Sequence, residues 1–192
     1  MKRIFDIVVS GIFFLVVLLP MAIIALSIML TSKGPILHWS DRVGRNSLVF
    51  KMPKFRTMKL ETPDLPTHLM KNPNQYLSSI GPFLRKYSLD ELPQLASILS
   101  GDMSFVGPRP DMPGYADLLQ GKDRLVLSVL PGITGPAQIA YKDEEKLLGA
   151  QKHPLQYNDE VIWPDKVRIN KEYIENYTFS KDVYYMLKTL VS

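Results

Sequence analysis

Two adjacent carboxylates, Asp90 and Glu91, stand in the stretch Ser88-Leu89-Asp90-Glu91-Leu92-Pro93-Gln94-Leu95, and Arg85 lies just upstream. Gly107-Pro108-Arg109-Pro110 follows shortly after, with prolines restricting the backbone on both sides of one guanidinium. An Arg held in this way can meet a phosphate through two parallel hydrogen bonds. Adjacent carboxylates can hold Mg²⁺, which ordinarily takes one or two carboxylates together with substrate phosphates. The combination suggests phosphoryl transfer. A plainer reading of the acids is complete in itself. Ser88 and Glu91 have capping-box spacing, which predicts a helix from Leu89 with both acids in its first turn. There the free N–H groups and the positive dipole end favour ionised carboxylates, whether or not they do chemistry.

These groups must be positioned, and the segment that sets where they work is apolar. Residues 7–30 carry no charge and are long enough to span a bilayer as a helix. The run is too long for a signal peptide and has no small-x-small cleavage site, so the segment is expected to stay. Pro20 sits in its middle, where it removes a backbone hydrogen bond. Lys2 and Arg3 precede the run; Lys33, Arg42, Arg45, Lys51, Lys54, Arg56 and Lys59 follow it, opposed only by Asp41. Basic flanks on both sides favour the cytoplasmic face for both ends. A helix that breaks at Pro20 and returns satisfies both observations; a kinked spanning helix is the commoner arrangement in general. The basic block fits anionic headgroups or a phosphorylated ligand, and equally a solvated loop.

The remaining residues read as one water-facing domain. The full chain has 192 residues, a formal charge of +4 and no Cys, which excludes disulfides, thiolate metal sites and a catalytic thiol. His38, His68 and His153 show no metal-ligand spacing. Neither familiar Gly-rich nucleotide loop is present, which disfavours P-loop and dinucleotide folds. Short strands are expected at residues 36–39 and 48–50, and a surface loop at 61–74, which holds Pro63, Pro66 and Pro73. Helices are expected at 76–86, 89–100 and 115–129, and again from Trp163-Pro164, with an extended Pro-rich loop at 108–113. Phe179, Val183, Tyr184, Met186, Leu187, Leu190 and Val191 recur at helical spacing. That helix could lie flat on a membrane, but packing on the core is the preferred reading.

Over nearly its whole length the chain resembles the small monotopic phosphoglycosyltransferases, the bacterial sugar transferase family. The matching residues are the apolar segment interrupted at Pro20; Lys54-Phe55-Arg56-Thr57-Met58; the Ser88 to Leu95 stretch; and Gly101-Asp102-Met103-Ser104-Phe105-Val106-Gly107-Pro108-Arg109-Pro110. Pro131-Gly132-Ile133-Thr134-Gly135 and Gln138 follow, then Tyr173, Asn176 and Phe179. The resemblance implies an α+β, mostly helical fold. A re-entrant helix–break–helix over residues 1–32 precedes a cytosolic catalytic domain over 33–192, with short strands and interfacial helices. It implies a bacterial inner-membrane enzyme facing the cytoplasm. Asp90 would attack a UDP-sugar, release UMP and pass the phosphosugar to undecaprenyl phosphate, opening glycoconjugate assembly. Asp90 and Glu91 would serve catalysis and Mg²⁺, while Arg85, Arg109, Lys54, Arg56 and Gln138 would bind phosphate or substrate. Membrane lipids are implied as surroundings, and no nucleic acid.

Three positions depart from the family pattern: Leu19 where Ser commonly precedes the proline, Leu130 where a basic residue often stands, and Asn170 where an acid is frequent. Two rival functions make different predictions. A membrane-anchored module binding acidic lipid or protein would tolerate Asp90→Asn, and a glycosyltransferase moving only the sugar would release UDP.

Overall fold

The computed structural model describes residues 1–62 and 73–191. The expected loop at 61–74 falls mostly outside them, as does His68.

The uncharged run forms a single helix, α1 (Lys2–Thr31), roughly 45 Å long at 1.5 Å per residue. Asp6, Ser10, Phe14, Val17, Met21, Ile24 and Ile28 recur every three or four residues and face the rest of the protein. Leu15, Val16, Leu19 and Leu26 lie exposed on other faces. The backbone keeps helical hydrogen bonding on both sides of Pro20, so the segment is one helix with a proline inside it. Proline deletes only the N–H that would reach Val16. Packing holds the helix on both sides of it: Phe14 and Val17 against Met52, Leu95 and Ile98, Met21 and Ile24 against Phe55 and Leu84. Both ends of α1 are tied to the same domain, Lys2 to Asp182 and Ser32 to Arg56.

Two expected strands pair as an antiparallel hairpin, β1 (Leu37–Val43) with β2 (Val49–Phe55), in a register that sets His38 opposite Lys54. The tip turns through Asn46 and Ser47, both left-handed, and Arg124 donates to the Ser47 hydroxyl at 3.1 Å. After α2 (Gly81–Lys86) a 3₁₀ turn over Leu89–Glu91 leads into α3 (Gln94–Ser100), which packs along α1. A parallel pair follows, β3 (Ser104–Val106) beside β4 (Gly132–Thr134). Short helices α4 (Pro136–Ala140), α5 (Glu144–Gly149) and α6 (Pro154–Tyr157) lead through a π turn to α7 (Trp163–Glu175), where Pro164 sits in the first turn as expected. The chain ends in α8 (Phe179–Val191).

Two expectations need correction. Residues 115–129 form two 3₁₀ stretches, Ala116–Leu118 and Gly121–Leu127, because Leu119 and Gln120 are extended and Gly121 is left-handed. Helix α8 does not sink its apolar face into the core. It buries Asp182, while Tyr184, Leu187, Leu190 and Val191 stay exposed. Phe5 of α1 and Phe179 of α8 meet edge to face with ring centroids 5.1 Å apart, so the outward apolar faces of the two helices adjoin.

Candidate active site

Ser88 creates the site by not capping. It adopts the left-handed conformation, φ 53°, and its hydroxyl makes no cap hydrogen bond, so the capping box read from sequence is absent. A non-glycine residue at positive φ costs energy that its surroundings must repay. The resulting turn buries Asp90 and aims Glu91 at β2. Lys54 of β2 donates to Glu91 Oε1 at 2.8 Å, and Arg109 Nη2 donates to the same oxygen at 2.8 Å. Both Lys54 and Glu91 are largely covered, whereas the Arg109 side chain is 44% exposed and presents the open side of the cluster.

Arg109 is held by close backbone packing. Gly107 N–H donates to Thr134 at 2.9 Å and Gly132 N–H to Pro108 at 2.8 Å. A Cβ on Gly107 would meet the Leu130 carbonyl at 2.4 Å, so glycine is required for this approach. Gln138 braces the same junction, donating to the carbonyls of Gly107 at 3.3 Å and Gly132 at 3.5 Å.

Charge separates the two acids. Burial works against ionised Glu91, but Arg109 and Lys54 outweigh it and hold its carboxyl at about 2. Burial raises Asp90, and the Glu91 charge adds to that, while Lys54 and Arg85 pull the other way. The expectation that a helix terminus would favour ionised Asp90 is therefore outweighed by desolvation. Among the described residues Asp90 makes no ion pair, so its carboxyl group remains available.

The other expected site residues divide. Arg85 lies within electrostatic reach of Asp90 and is steadied by donating from Nε to Thr57 Oγ1 at 3.0 Å. Arg56 points elsewhere: its guanidinium donates to the carbonyl of Lys33 and to Ser32 Oγ at 2.8 Å, which ties down the end of α1. These contacts give Arg56 a structural role at the end of α1, while its buried Nε has no partner among the described residues. Gln138 likewise spends its amide donors on backbone. Arg42, read from sequence only as part of the basic block, and Asp111, not singled out there, join the cluster. Arg42 lies beside Arg109 and donates to the Pro110 carbonyl at 3.4 Å. Asp111 is pushed up to about 6 by burial, partly offset by Lys166, Arg42 and Arg109. A signal for Asp111 existed in its place directly after Pro110.

A metal is testable against these groups. Among the described residues no three His, Asp or Glu side chains gather as a metal cage. The adjacent Asp90 and Glu91 fit Mg²⁺, an ion that needs few protein carboxylates when substrate phosphates complete its shell. Both cations on Glu91 sit at Oε1, leaving Oε2 outside those ion pairs.

Comparison with known proteins points the same way as the geometry. The model of a family described as bacterial sugar transferase matches residues 1–192. The chain is 36% identical over 168 residues to the UDP-glucose:undecaprenyl-phosphate glucose-1-phosphate transferase of Escherichia coli, covering 84% of this chain and 36% of that protein. It is 29% identical to the undecaprenyl-phosphate galactose phosphotransferase of Salmonella typhimurium, across 98% of this chain and 39% of the relative. It is 31% identical to the exopolysaccharide production protein ExoY of Sinorhizobium fredii, across 98% and 83%. The chain thus spans little more than a third of the length of the first two relatives.

Proposed function

The chain belongs to the bacterial sugar transferase family, and on that premise we propose that it moves a sugar-1-phosphate from a UDP-sugar to undecaprenyl phosphate. The observation that carries this reading is a buried, unpaired Asp90 set directly beside a Glu91 gripped by Lys54 and Arg109. In the first step an Asp90 carboxylate oxygen bonds to the β-phosphorus. The bond from that phosphorus to the bridging oxygen breaks, and UMP leaves with the electron pair. In the second step a phosphate oxygen of undecaprenyl phosphate attacks the same phosphorus. The Asp90–phosphorus bond breaks, restoring the carboxylate and forming a lipid diphosphosugar. Covalent catalysis of this type divides one difficult displacement into two.

Arg109, with its exposed face, and Arg85 would stabilise charge on the transferring phosphate, and Lys54 would hold Glu91 in place. Asp90 and Glu91 would hold Mg²⁺, which when bound offsets the charge of the diphosphate. Burial of Asp90 strips water from its carboxyl group, so the nucleophile is less solvated once it is ionised. Support for a same-side arrangement comes from α1, whose two ends are both held by the domain bearing Asp90. On this reading the domain would lie at the cytoplasmic face of the inner membrane, where nucleotide-sugars are found.

The test is a donor panel that includes UDP-glucose, UDP-galactose and N-acetylated amino-sugar donors, with undecaprenyl phosphate and Mg²⁺. Release of UMP together with a lipid diphosphosugar supports the proposal. Release of UDP instead would identify an enzyme that transfers the sugar alone.

A further inference from the structure

A second concave site lies away from Asp90. A cavity of about 420 Å³ opens between the first turn of α1, the β1–β2 turn and α7. Lys2, Arg3 and Arg45 line it, together with apolar Val106, Leu130 and Ile174. None of Lys54, Arg85, Asp90, Glu91 or Arg109 does. Arg3 donates to the Ile98 and Leu99 carbonyls at the end of α3, whereas Asp90 precedes the start of α3. The two sites therefore lie at opposite ends of α3, a helix about 10 Å long.

The charges of this cavity are unevenly matched. Lys2 is paired with Asp182, whereas among the described residues Arg3 donates to neutral carbonyls and feels Asp6 only electrostatically. Arg45 accepts from the Leu48 N–H through its carbonyl, while its side chain has no hydrogen bond or ion pair among the described residues. Its backbone is fixed by the left-handed Asn46 and Ser47 and by the Arg124 contact, so an unpaired guanidinium is held at the cavity. One lining acid, Asp6, is buried and accepts from the Phe105 N–H at 3.3 Å. Outside the cavity, Ile4, Ile7 and Val8 of α1 are exposed. A cationic hollow with apolar walls, opening where an apolar helix begins, matches a phosphate headgroup whose acyl chains remain in the bilayer. We propose that this cavity seats the headgroup of an anionic membrane phospholipid and fixes the N-terminal end of α1 at the membrane surface.

The full chain in neutral detergent micelles is titrated with dioctanoyl phosphatidylglycerol, and retained lipid is counted by native mass spectrometry. One molecule should bind saturably, and dioctanoyl phosphatidylcholine should bind far less. Arg45→Gln, which breaks no contact, should weaken binding about fivefold, the size expected of one charge at a membrane surface. Lys152→Gln removes the same charge outside the cavity and should change nothing. Equal binding of phosphatidylcholine, equal loss in Lys152→Gln, or full binding in Arg45→Gln would each overturn the proposal. So would displacement of the phosphatidylglycerol by inorganic phosphate, which would make this a site for a soluble anion. Displacement by undecaprenyl phosphate at equal concentration would assign the cavity to the acceptor and would likewise overturn it. Because the readout is binding, its failure leaves the transfer reaction untouched.

Discussion

Lys2 and Asp182, 180 residues apart, form an ion pair of 2.8 Å in which the Asp182 side chain is almost wholly buried. Tyr173 donates to the same carboxylate, as does Tyr177 at 3.1 Å. Lys2 also donates to the Val106 carbonyl at 2.7 Å. Lys2 is 30% exposed and can turn to water, so removing Asp182 chiefly orphans the Tyr173 and Tyr177 hydroxyls, at a typical cost of about 1–3 kcal/mol. Asp182→Ala should therefore lower stability by roughly that amount and speed amide exchange in the first turn of α1 before the rest of the helix. Uniform exchange along α1 would show that the pair does not secure that end.

Both ends of α1 should face the same side of the membrane. The chain has no native Cys, so one cysteine placed ahead of Met1, or in a second variant at Lys33, is the sole thiol. An impermeant maleimide added to intact cells should label neither, and both should react after lysis. Labelling of one position from outside would mean that α1 crosses the bilayer.

Asp90→Asn should lower turnover by roughly 10³-fold or more, as removal of an essential nucleophile does, with little change in melting temperature. Wild-type protein given donor without acceptor should gain the mass of a phosphosugar on Asp90. Substantial turnover by the variant, or an adduct on another residue, would reassign the nucleophile.

Acid should inactivate the protein before it unfolds it. Burial raises Asp90, so its carboxylate form is lost as pH falls through a value above the ordinary one of about 3.9. Turnover should therefore drop on the acid side earlier than an unperturbed carboxylate would predict. Glu91 has the opposite sign: its folded value, about 2, lies below its usual 4.5. Its contribution of about 3 kcal/mol is complete above the unfolded value and disappears as pH falls from about 4.5 toward about 2. Denaturant melts across that window should show the loss in wild type and a flatter profile in Glu91→Gln.

Turnover should require a divalent cation, since donor diphosphate and two carboxylates crowd negative charge that Arg85 and Arg109 only partly offset. Full activity in excess EDTA would remove Mg²⁺ from the scheme.

Short-range signals were readable and long-range ones were not. Asp90, Glu91 and Arg109 announced themselves because each sits in a compact motif whose chemistry depends on immediate neighbours. The grip of Lys54 on Glu91 spans 37 residues and follows from where β2 meets the turn before α3, which spacing does not disclose. Lys54 and Arg56 are two residues apart and read as one basic patch. Strand β2 ends at Phe55, however, and Arg56 turns away to the end of α1. Ser88 shows the same limit. Its spacing to Glu91 favours a cap, but pairing Glu91 with two cations outweighs one capping hydrogen bond. For α8, periodicity located the helix but could not say whether its apolar side met protein or lipid.

The Lys2–Asp182 contact also sets an order of events during synthesis. At 5–20 residues per second, roughly 10–40 s separate the emergence of these two partners from the ribosome. During that interval α1 has its apolar surface but none of the strands and helices that later cover Asp6, Ser10 and Ile28. A bilayer offers an apolar phase during that interval, so α1 would enter it before its domain exists. Assembly would then proceed from the membrane outward, with the helix as template and the nascent domain folding back onto it.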